Sequence, residues 1–220
     1  MTDFTLLAKS LRPPPDKHHG LSDVETRFRQ RELDLVANES ARELFIERAA
    51  IIGAIRAYLD GEGFIEVETP VLQPIYGGAL ARPFTTHHNA LDRMLYLRIA
   101  TELYLKRCIV GGLERVYEIG KNFRNEGLSP KHNPEFTVIE WYEAYSDYEG
   151  QALRLEELVG AASQTLVQPA IDFSAPWRRV KLRDAIREHT GIDIDEERDR
   201  DAHAAAIRAG GIANEPDGRT

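Results

Sequence analysis

The first long pattern in the chain is a helical stripe over residues 40–60. Apolar side chains recur there at spacings of three and four, at Phe45, Ala49, Ile52, Ile55 and Leu59. Such a stripe is typical of an amphipathic helix that packs on a core. Gly61 and Gly63 follow and predict the end of the helix.

Residues 21–38 precede this helix and carry a charged pattern. Ser22 and Glu25 have the spacing of a capping box, which predicts a helix N-terminus. Arg27, Arg29 and Arg31 follow close together. They fit a solvated helix face as well as a surface that contacts RNA or another domain.

Shorter periodic segments follow the long helix. Alternating apolar and acidic residues over 64–72 predict a strand that Pro70 interrupts at a sheet edge. Residues 95–100 predict another strand, and Thr101 predicts the N-cap of a helix that ends at residue 110. Farther along, the patterns predict a helix after residue 146, a strand over 177–182, and two helices closed by Gly191 and by Gly210 with Gly211.

The most informative pattern is a pair of alternating runs, 114–126 and 135–145, that flank turn-forming residues. They predict an antiparallel hairpin with a long tip. Side chains alternate faces along a strand. One face therefore carries Val116, Glu118, Gly120, Asn122, Arg124 and Glu126 on the first run, and Phe136, Val138, Glu140 and Tyr142 on the second. The opposite faces, with Tyr117, Ile119, Phe123, Ile139 and Trp141, are apolar enough to pack on a helix.

If the two polar faces lie on the same side of the sheet, they form a surface suited to a charged, planar, phosphorylated ligand. Arg124 offers bidentate donors to a phosphate or carboxylate, and His132 adds a donor for an anionic tail. Phe136 offers a flat face to a base, and Glu126 can accept a hydrogen bond from an exocyclic amine. Glu140 requires a cation. A surface Arg–Glu network around a core phenylalanine would use the same residues, and spacing alone does not separate the two interpretations.

Composition narrows the protein class. The 220 residues are 42% hydrophobic and 29% charged, which predicts a globular protein with one sizeable core and a small appendage. A net charge of −8 disfavours nucleic-acid binding by the whole surface but allows a local basic patch. The lone Cys108 predicts a buried thiol in a reducing compartment. No apolar run approaches the length of about 18 residues of a membrane span, and the N-terminus lacks a signal-peptide core, so we expect a cytoplasmic protein without a membrane partner.

Two segments resemble the motifs of class II aminoacyl-tRNA synthetases. GFIEVETPVL (63–72) resembles their first motif, and FRNEGLSPKHNPEFTVIEWY (123–142) resembles their second. RFRQRELDL (27–35), HNPEFT (132–137) and ARPFTTHHNALDRMLYLRIATELYLKR (81–107) are similar to the bacterial lysyl-tRNA synthetases in particular. The resemblance covers residues 5–150 and continues more weakly through 175–186.

The resemblance implies a fold, a reaction and partners. The fold would be α+β, an antiparallel sheet flanked by helices. The reaction would be ATP-dependent activation of lysine to lysyl-adenylate, with Mg²⁺ on the phosphates, and transfer to tRNA(Lys). The first motif implies a homodimer, with Gly63 and Pro70 at its interface.

The resemblance also implies a role for each matching residue. Arg124 would hold the α-phosphate of ATP and the lysine carboxylate, and is the implied catalytic residue. ATP would further contact Asn125 and would use Glu126 for the adenine amino group, Phe136 for stacking, and His132 and Asn133 for the outer phosphates. Lysine would contact Gly78 and Glu102 at its α-amino end, and Glu140 and Tyr142.

The resemblance finally implies a domain order. Residues 1–20, with three prolines at 13–15, resemble the linker after an anticodon-binding OB domain that is not in this sequence. Residues 21–172 resemble a catalytic core with the first two motifs, and 173–220 the incomplete start of a later region. No GxGxGxxR-like third motif occurs in these residues. The family order puts that motif, and the metal-binding carboxylates, after residue 220, so we expect no metal ligands here and no exchange activity from this N-terminal part alone.

Two alternatives follow from the same residues. A paralogue that attaches lysine to elongation factor P also lacks the anticodon domain, but residues 5–38 and TELYLKR favour the tRNA enzyme. A catalytically inactive module that dimerises or binds nucleotide would explain the lack of a third motif, whereas Arg124, Glu126, Phe136 and Glu140 argue against it.

Overall fold

The computed structural model describes residues 3–16, 20–127, 129, 131–166, 171–195 and 199–211. The helices are α1 (Val24–Arg29), α2 (Arg31–Ala37), α3 (Glu39–Gly61), α4 (Glu102–Val110), α5 (Tyr148–Ser163), α6 (Leu182–Thr190) and α7 (Arg200–Ala209), with a 3₁₀ turn at Asn89–Leu91. The strands are β1 (Ile65–Glu66), β2 (Leu72–Gln73), β3 (Thr85–His88), β4 (Arg93–Leu97), β5 (Arg115–Phe123) and β6 (Glu135–Glu143). The predicted α+β class is confirmed.

The strands form two three-stranded sheets. In the first, β5 lies between β1, to which it is parallel, and β6, to which it is antiparallel. In the second, β4 lies between β2 and β3 and is antiparallel to both. The long β5–β6 pair is the hairpin that alternation predicts.

A core lies on one side of the β5–β6 hairpin. Its buried side chains come from α3, the turn after it, β5 and α5, and are Leu59, Phe64, Tyr117 and Leu158. Ile119, Ile139 and Trp141 of the hairpin pack against them. The predicted apolar face is therefore confirmed, and each fully buried side chain of this size contributes about 1.5–3 kcal/mol to folding.

Helix α3 begins and ends within one residue of the predicted bounds. Gly63, at a φ of +79°, follows its end, as predicted. Only the C-terminal half of the predicted apolar stripe packs on the core. Leu59 is fully buried, whereas Phe45 is 44% exposed, because the core contacts of α3 come from Ile55, Tyr58 and Leu59.

The single strand predicted over 64–72 is wrong. β1 and β2 are two residues each and belong to different sheets. Pro70 has no N–H, and the N–H of Thr69 donates to the Glu118 carboxylate at 3.2 Å. The hydrogen bonding between strands is thus interrupted at Thr69 and Pro70, where the chain passes from one sheet to the other.

Three smaller predictions also need correction. Asp23 rather than Ser22 caps α1, because its carboxylate accepts from the N–H of Thr26 at 2.7 Å. Residues 177–181 form no strand and lead directly into α6. Cys108 is only partly buried. Thr101 is the N-cap of α4, as predicted, although its side chain makes no cap hydrogen bond.

The arginines of α1 and α2 pair within their own segment. Arg27 and Arg31 both bond the fully buried Asp34, at 2.7 and 2.5 Å. Asn38 also donates to Asp34, and this bond, together with the two arginines, holds the pKa of Asp34 below its usual range against the effect of burial. The network favours a structural role for these residues.

The chain divides into two compact units, Met1–Ala175 and Pro176–Thr220. In the second, Gly191 ends α6 at a φ of +74°, and Gly210 with Gly211 ends α7, as predicted. Among the described residues, none of the helices is long and apolar enough to span a membrane.

Glu143, at the end of β6, anchors α5 to the hairpin. Its carboxylate accepts from Arg154 Nε at 2.9 Å and Nη2 at 3.1 Å, from Gln151 at 3.0 Å, and pairs with Arg115 at 2.9 Å. Burial opposes its ionisation, but these bonds outweigh burial and hold the pKa of Glu143 below its usual value.

We expect Glu143→Gln to lower the free energy of unfolding by about 3 kcal/mol, because it leaves the partly buried Arg154 without a full partner. A lowered folded-state pKa gives stability that is complete above the ordinary glutamate pKa and is lost as pH falls through the folded value. In acid, the free energy of unfolding of the wild type should therefore fall towards that of the variant. Urea unfolding between neutral and acidic pH measures this difference in stability. Glu135→Gln, at the exposed start of the same strand, is the control and should change little.

Candidate active site

The register of the hairpin decides which side chains share a face. Val116 lies opposite Tyr142, Glu118 opposite Glu140, and Asn122 opposite Phe136. Directly opposed residues point to the same side of a sheet. The polar faces predicted for the two runs therefore lie on one side of the sheet, which meets the condition that the sequence left open.

Arg124 and Phe136 form one end of this surface. The N–H of Arg124 donates to the carbonyl of Pro134 at 2.8 Å, which closes the hairpin beyond the last strand pair. The Arg124 guanidinium lies over the Phe136 ring, with Cζ 5.2 Å from its centroid. This cation–π contact orients the guanidinium while leaving its fork of donors available.

The hairpin tip carries the other predicted ATP residues. The N–H of Asn125 donates to the carbonyl of Arg82 at 2.7 Å, and the side chains of Asn125, Glu126 and Asn133 are exposed. His132 bonds Ser129, with Nδ1 2.7 Å from the hydroxyl oxygen. Within the described residues no hydrogen bond or ion pair joins these side chains to Arg124.

The other end of the surface gathers the predicted lysine residues. Glu140 accepts from the hydroxyl of Tyr142 and from the N–H of Thr101, both at 3.3 Å. Glu102 pairs with Lys106 at 2.7 Å, and the same ammonium lies 5.9 Å from the centroid of the Tyr142 ring. Glu102, Glu140 and Lys106 are therefore brought together around Tyr142.

Burial and the two carboxylates set the chemistry of Tyr142. Burial raises the pKa of its phenol, and the negative charges of Glu140 and Glu102 raise it further. The phenol stays protonated at neutral pH and acts as a hydrogen-bond donor. Glu140 has no ion-pair partner among the described residues, so the cluster retains one unbalanced negative charge.

Gly78 lies against the start of α4. Its φ is +87°, and a Cβ there would lie 3.0 Å from the Cβ atoms of both Ala100 and Glu102. A side chain at this position would be strained and crowded. The predicted neighbourhood of Gly78 and Glu102 is thus present in the structure.

Three buried side-chain atoms of the described residues lack a hydrogen-bond partner, and all three belong to this surface or its margin. They are Thr101 Oγ1, Asn122 Oδ1 and Arg124 Nε. Unpaired buried polar atoms are rare in folded proteins and are expected where a ligand completes their bonding. Asn122 lies at the Arg124 end of the surface, opposite Phe136.

Among the described residues, no group of three or more His, Cys, Asp or Glu side chains is placed to hold a metal ion. The surface instead offers arginine, amide and carboxylate groups. These suit an organic ligand that has both an anionic and a cationic part.

A family model for tRNA synthetases class II (D, K and N) matches residues 23–206. The chain belongs to this family. As a class II tRNA synthetase it is 55% identical over 215 residues to a lysine–tRNA ligase of Clostridium botulinum, a match that covers 94% of this chain and 42% of the relative. A lysine–tRNA ligase of Clostridium perfringens is 54% identical over 215 residues, covering 94% and 43%. The chain spans about two fifths of the length of the curated relatives it matches.

Some side chains of this candidate site in the class II family member were missed by sequence reasoning. Lys106 was assigned no role, although its spacing of four from Glu102 is that of a helical ion pair. Asn122 was put on the correct face but given no function. Thr101 was interpreted only as a helix cap, and its contact with Glu140, 39 residues away, has no local signal.

Proposed function

We propose that this chain carries the lysine- and ATP-binding surface of a lysine–tRNA ligase. A lysine carboxylate oxygen would attack the α-phosphorus of ATP, the bond from that phosphorus to the bridging oxygen would break, and pyrophosphate would leave. A hydroxyl at the 3′ end of tRNA(Lys) would then attack the lysyl carbonyl carbon of the adenylate, the bond from that carbon to the phosphate oxygen would break, and AMP would leave with the proton released to solvent. The observation that carries the proposal is one continuous sheet face with Arg124 and Phe136 at one end and Glu140 with Tyr142 at the other.

The length of that face suits the reaction intermediate. Phe136 and Glu140 are four residues apart on β6, which corresponds to about 13 Å at 3.3 Å per residue. This is comparable to a lysine side chain joined through one phosphate to adenosine. A single ligand can therefore reach the stacking side chain and the carboxylate at the same time.

At the ATP end, Arg124 would bind the α-phosphate and the lysine carboxylate through its fork of donors. One face of the Phe136 ring is occupied by that guanidinium, which leaves the other face for adenine. Glu126 would accept from the adenine amino group, and Asn125, His132 and Asn133 would contact the nucleotide from the hairpin tip.

At the lysine end, charge accounts for specificity. Lysine brings two ammonium groups, and the cluster holds two carboxylates, Glu102 and Glu140, against one cation among the described residues, Lys106. The α-ammonium would bind beside Gly78 and Glu102, while Glu140 and Tyr142 would receive the rest of the substrate. The acidic side chain of aspartate would be repelled by the same cluster.

Magnesium and partners complete the proposal. Mg²⁺ would arrive bound to the phosphates of ATP. A second copy of the chain would bind around Gly63 and Pro70, where Ile65, Val71 and Leu72 are 38–49% exposed next to charged residues. The expected location is the cytoplasm.

Two measurements test the function. Calorimetric titration of the 220-residue chain should detect ATP and lysine, with lysine preferred over aspartate and asparagine. The complete gene product that contains these residues should catalyse lysine-dependent ATP–pyrophosphate exchange and charge tRNA(Lys). Exchange without tRNA charging, but with lysine transfer to elongation factor P, would favour the paralogue. Binding of ATP without any exchange would favour the inactive module, and binding of neither ligand would overturn the proposal.

A further inference from the structure

A buried ion pair joins the two sheets beneath the candidate site. Arg98, immediately after β4, is 2% exposed, and Glu118, in the middle of β5, is 3% exposed. Arg98 Nη1 bonds Glu118 Oε1. Neither residue is among those that the family resemblance associates with ATP or lysine.

The Arg98 side chain also holds the backbone on both sides of the pair. Its Nε donates to the carbonyl of Lys121 at 2.9 Å, and its Nη1 donates to the carbonyl and the hydroxyl oxygen of Thr69 at 3.2 and 3.1 Å. The Thr69 hydroxyl in turn donates to Glu118 at 2.5 Å. One closed network thus links the crossing between the sheets to the end of β5.

The backbone of Arg98 adds two more links. Its N–H donates to the carbonyl of Val71 at 2.9 Å, and its carbonyl accepts from the N–H of Phe123 at 2.9 Å. Lys121 and Phe123 are the third residue before Arg124 and the residue directly before it. The start of the segment that carries Arg124 is therefore bonded to Arg98 at two points.

Gly120 provides the space for this guanidinium. A Cβ at Gly120 would lie 2.3 Å from Arg98 Nη2, far inside van der Waals contact. The guanidinium therefore crosses β5 where a strand residue without a side chain leaves room. This explains why a strand of otherwise large side chains contains a glycine at its centre.

The pair also removes an unfavourable charge contact. Glu118 and Glu140 are direct cross-strand partners on one face of the hairpin, an arrangement that is destabilising for two like charges. Arg98 and Thr69 bind Glu118, whereas Glu140 has no ion-pair partner among the described residues. The network thus neutralises one carboxylate and leaves the other for a cationic ligand.

We propose that Arg98 is a positioning residue of the site, which sets the end of β5 for Arg124 and neutralises Glu118 opposite Glu140. This inference rests on the proposed function for its ligand readout. Replacing both partners of a buried pair by apolar residues is often neutral for stability, so a merely structural pair would leave both stability and ligand binding unchanged.

The test is the double variant Arg98→Met/Glu118→Met in the 220-residue chain. We expect near wild-type thermal unfolding but about tenfold faster amide exchange at residues 121–124, since the bond from the Arg98 side chain to the Lys121 carbonyl is lost. Binding of ATP and of lysine should each weaken about tenfold, because both ligands would use the displaced donors of Arg124. Unchanged exchange over 121–124 would overturn the proposal whether or not the chain binds either ligand.

The matched control is Arg154→Met/Glu143→Met, a largely buried pair between α5 and the far end of β6. It should leave amide exchange at 121–124 and both ligand affinities unchanged, and an equal loss of affinity in the control would also overturn the positioning role.

If the Arg98 double variant does not fold, Thr69→Val provides the test. This substitution removes the hydroxyl bonds to Arg98 and Glu118 and keeps the shape of the side chain. We expect about threefold weaker ATP binding from it, and wild-type affinity would count against the proposal. Failure of the wild-type chain to bind ATP and lysine would overturn the proposed function. The comparison of amide exchange at residues 121–124 would still decide the role of Arg98.

Discussion

Arg124→Ala is expected to slow lysine-dependent ATP–pyrophosphate exchange by about a thousandfold, equivalent to about 4 kcal/mol of transition-state stabilisation. The guanidinium would supply donors to the α-phosphate while the attacking carboxylate is aligned. Its Nε is buried without a hydrogen-bond partner, and its ring contact is with Phe136. The free protein therefore loses little when this side chain is removed, and the thermal midpoint should change only slightly. The assay uses the complete gene product.

Two further variants make the Arg124 result specific. Arg124→Lys keeps the positive charge but not the planar fork of donors, so exchange should remain strongly impaired. Arg29→Ala removes an exposed arginine whose ion pair within the described ranges is with Glu25 on α1, and it should leave ATP–pyrophosphate exchange unchanged. Wild-type exchange by Arg124→Ala would refute the assignment of this residue to the phosphate.

Glu140→Gln is expected to weaken lysine binding about a hundredfold, or about 3 kcal/mol, with ATP binding unchanged. The glutamine amide oxygen can still accept from the N–H of Thr101 and the hydroxyl of Tyr142. The substitution therefore removes the charge while retaining the shape and the local bonds. Calorimetric titration with lysine and with ATP separates the two effects.

A second readout of the Glu140 variant needs no ligand. The pKa of Tyr142 is raised by burial first, and then by the charges of Glu140 and Glu102. Glu140→Gln should therefore lower that pKa towards the ordinary tyrosine value, as measured by ultraviolet titration against a Tyr142→Phe reference. Glu135→Gln, an exposed carboxylate on the same strand, should affect neither measurement. Unaltered lysine affinity in Glu140→Gln would exclude Glu140 as the ammonium partner.

Much of the fold was predictable because the relevant patterns are local. The period of α3 and the alternation of β5 and β6 depend only on backbone geometry, and all three elements formed within a few residues of their predicted bounds. Residues 64–72 and 177–182 failed for a non-local reason. A strand needs a partner, and whether one is available cannot be read from the strand itself.

The candidate site was predictable to the extent that it lies on one hairpin. Arg124, Phe136, Glu140 and Tyr142 share a face by alternation, and the observed register brings them together. Their assignment to ATP and lysine came from the family resemblance rather than from their spacing, which fitted a surface ion network equally well. Residues contributed by other elements had no such local signal.

By itself, the sequence determined the hairpin, its polar and apolar faces, and the chemical character of the surface, because strand alternation follows from the backbone alone. Only the tertiary structure decided that Lys106 lies against the ring of Tyr142 and that Arg98 neutralises Glu118. Thr69, Arg98 and Glu118 are 20–49 residues apart in pairs, and their bonds form only where two sheets meet. Such contacts depend on how whole elements pack, and no local pattern encodes that packing.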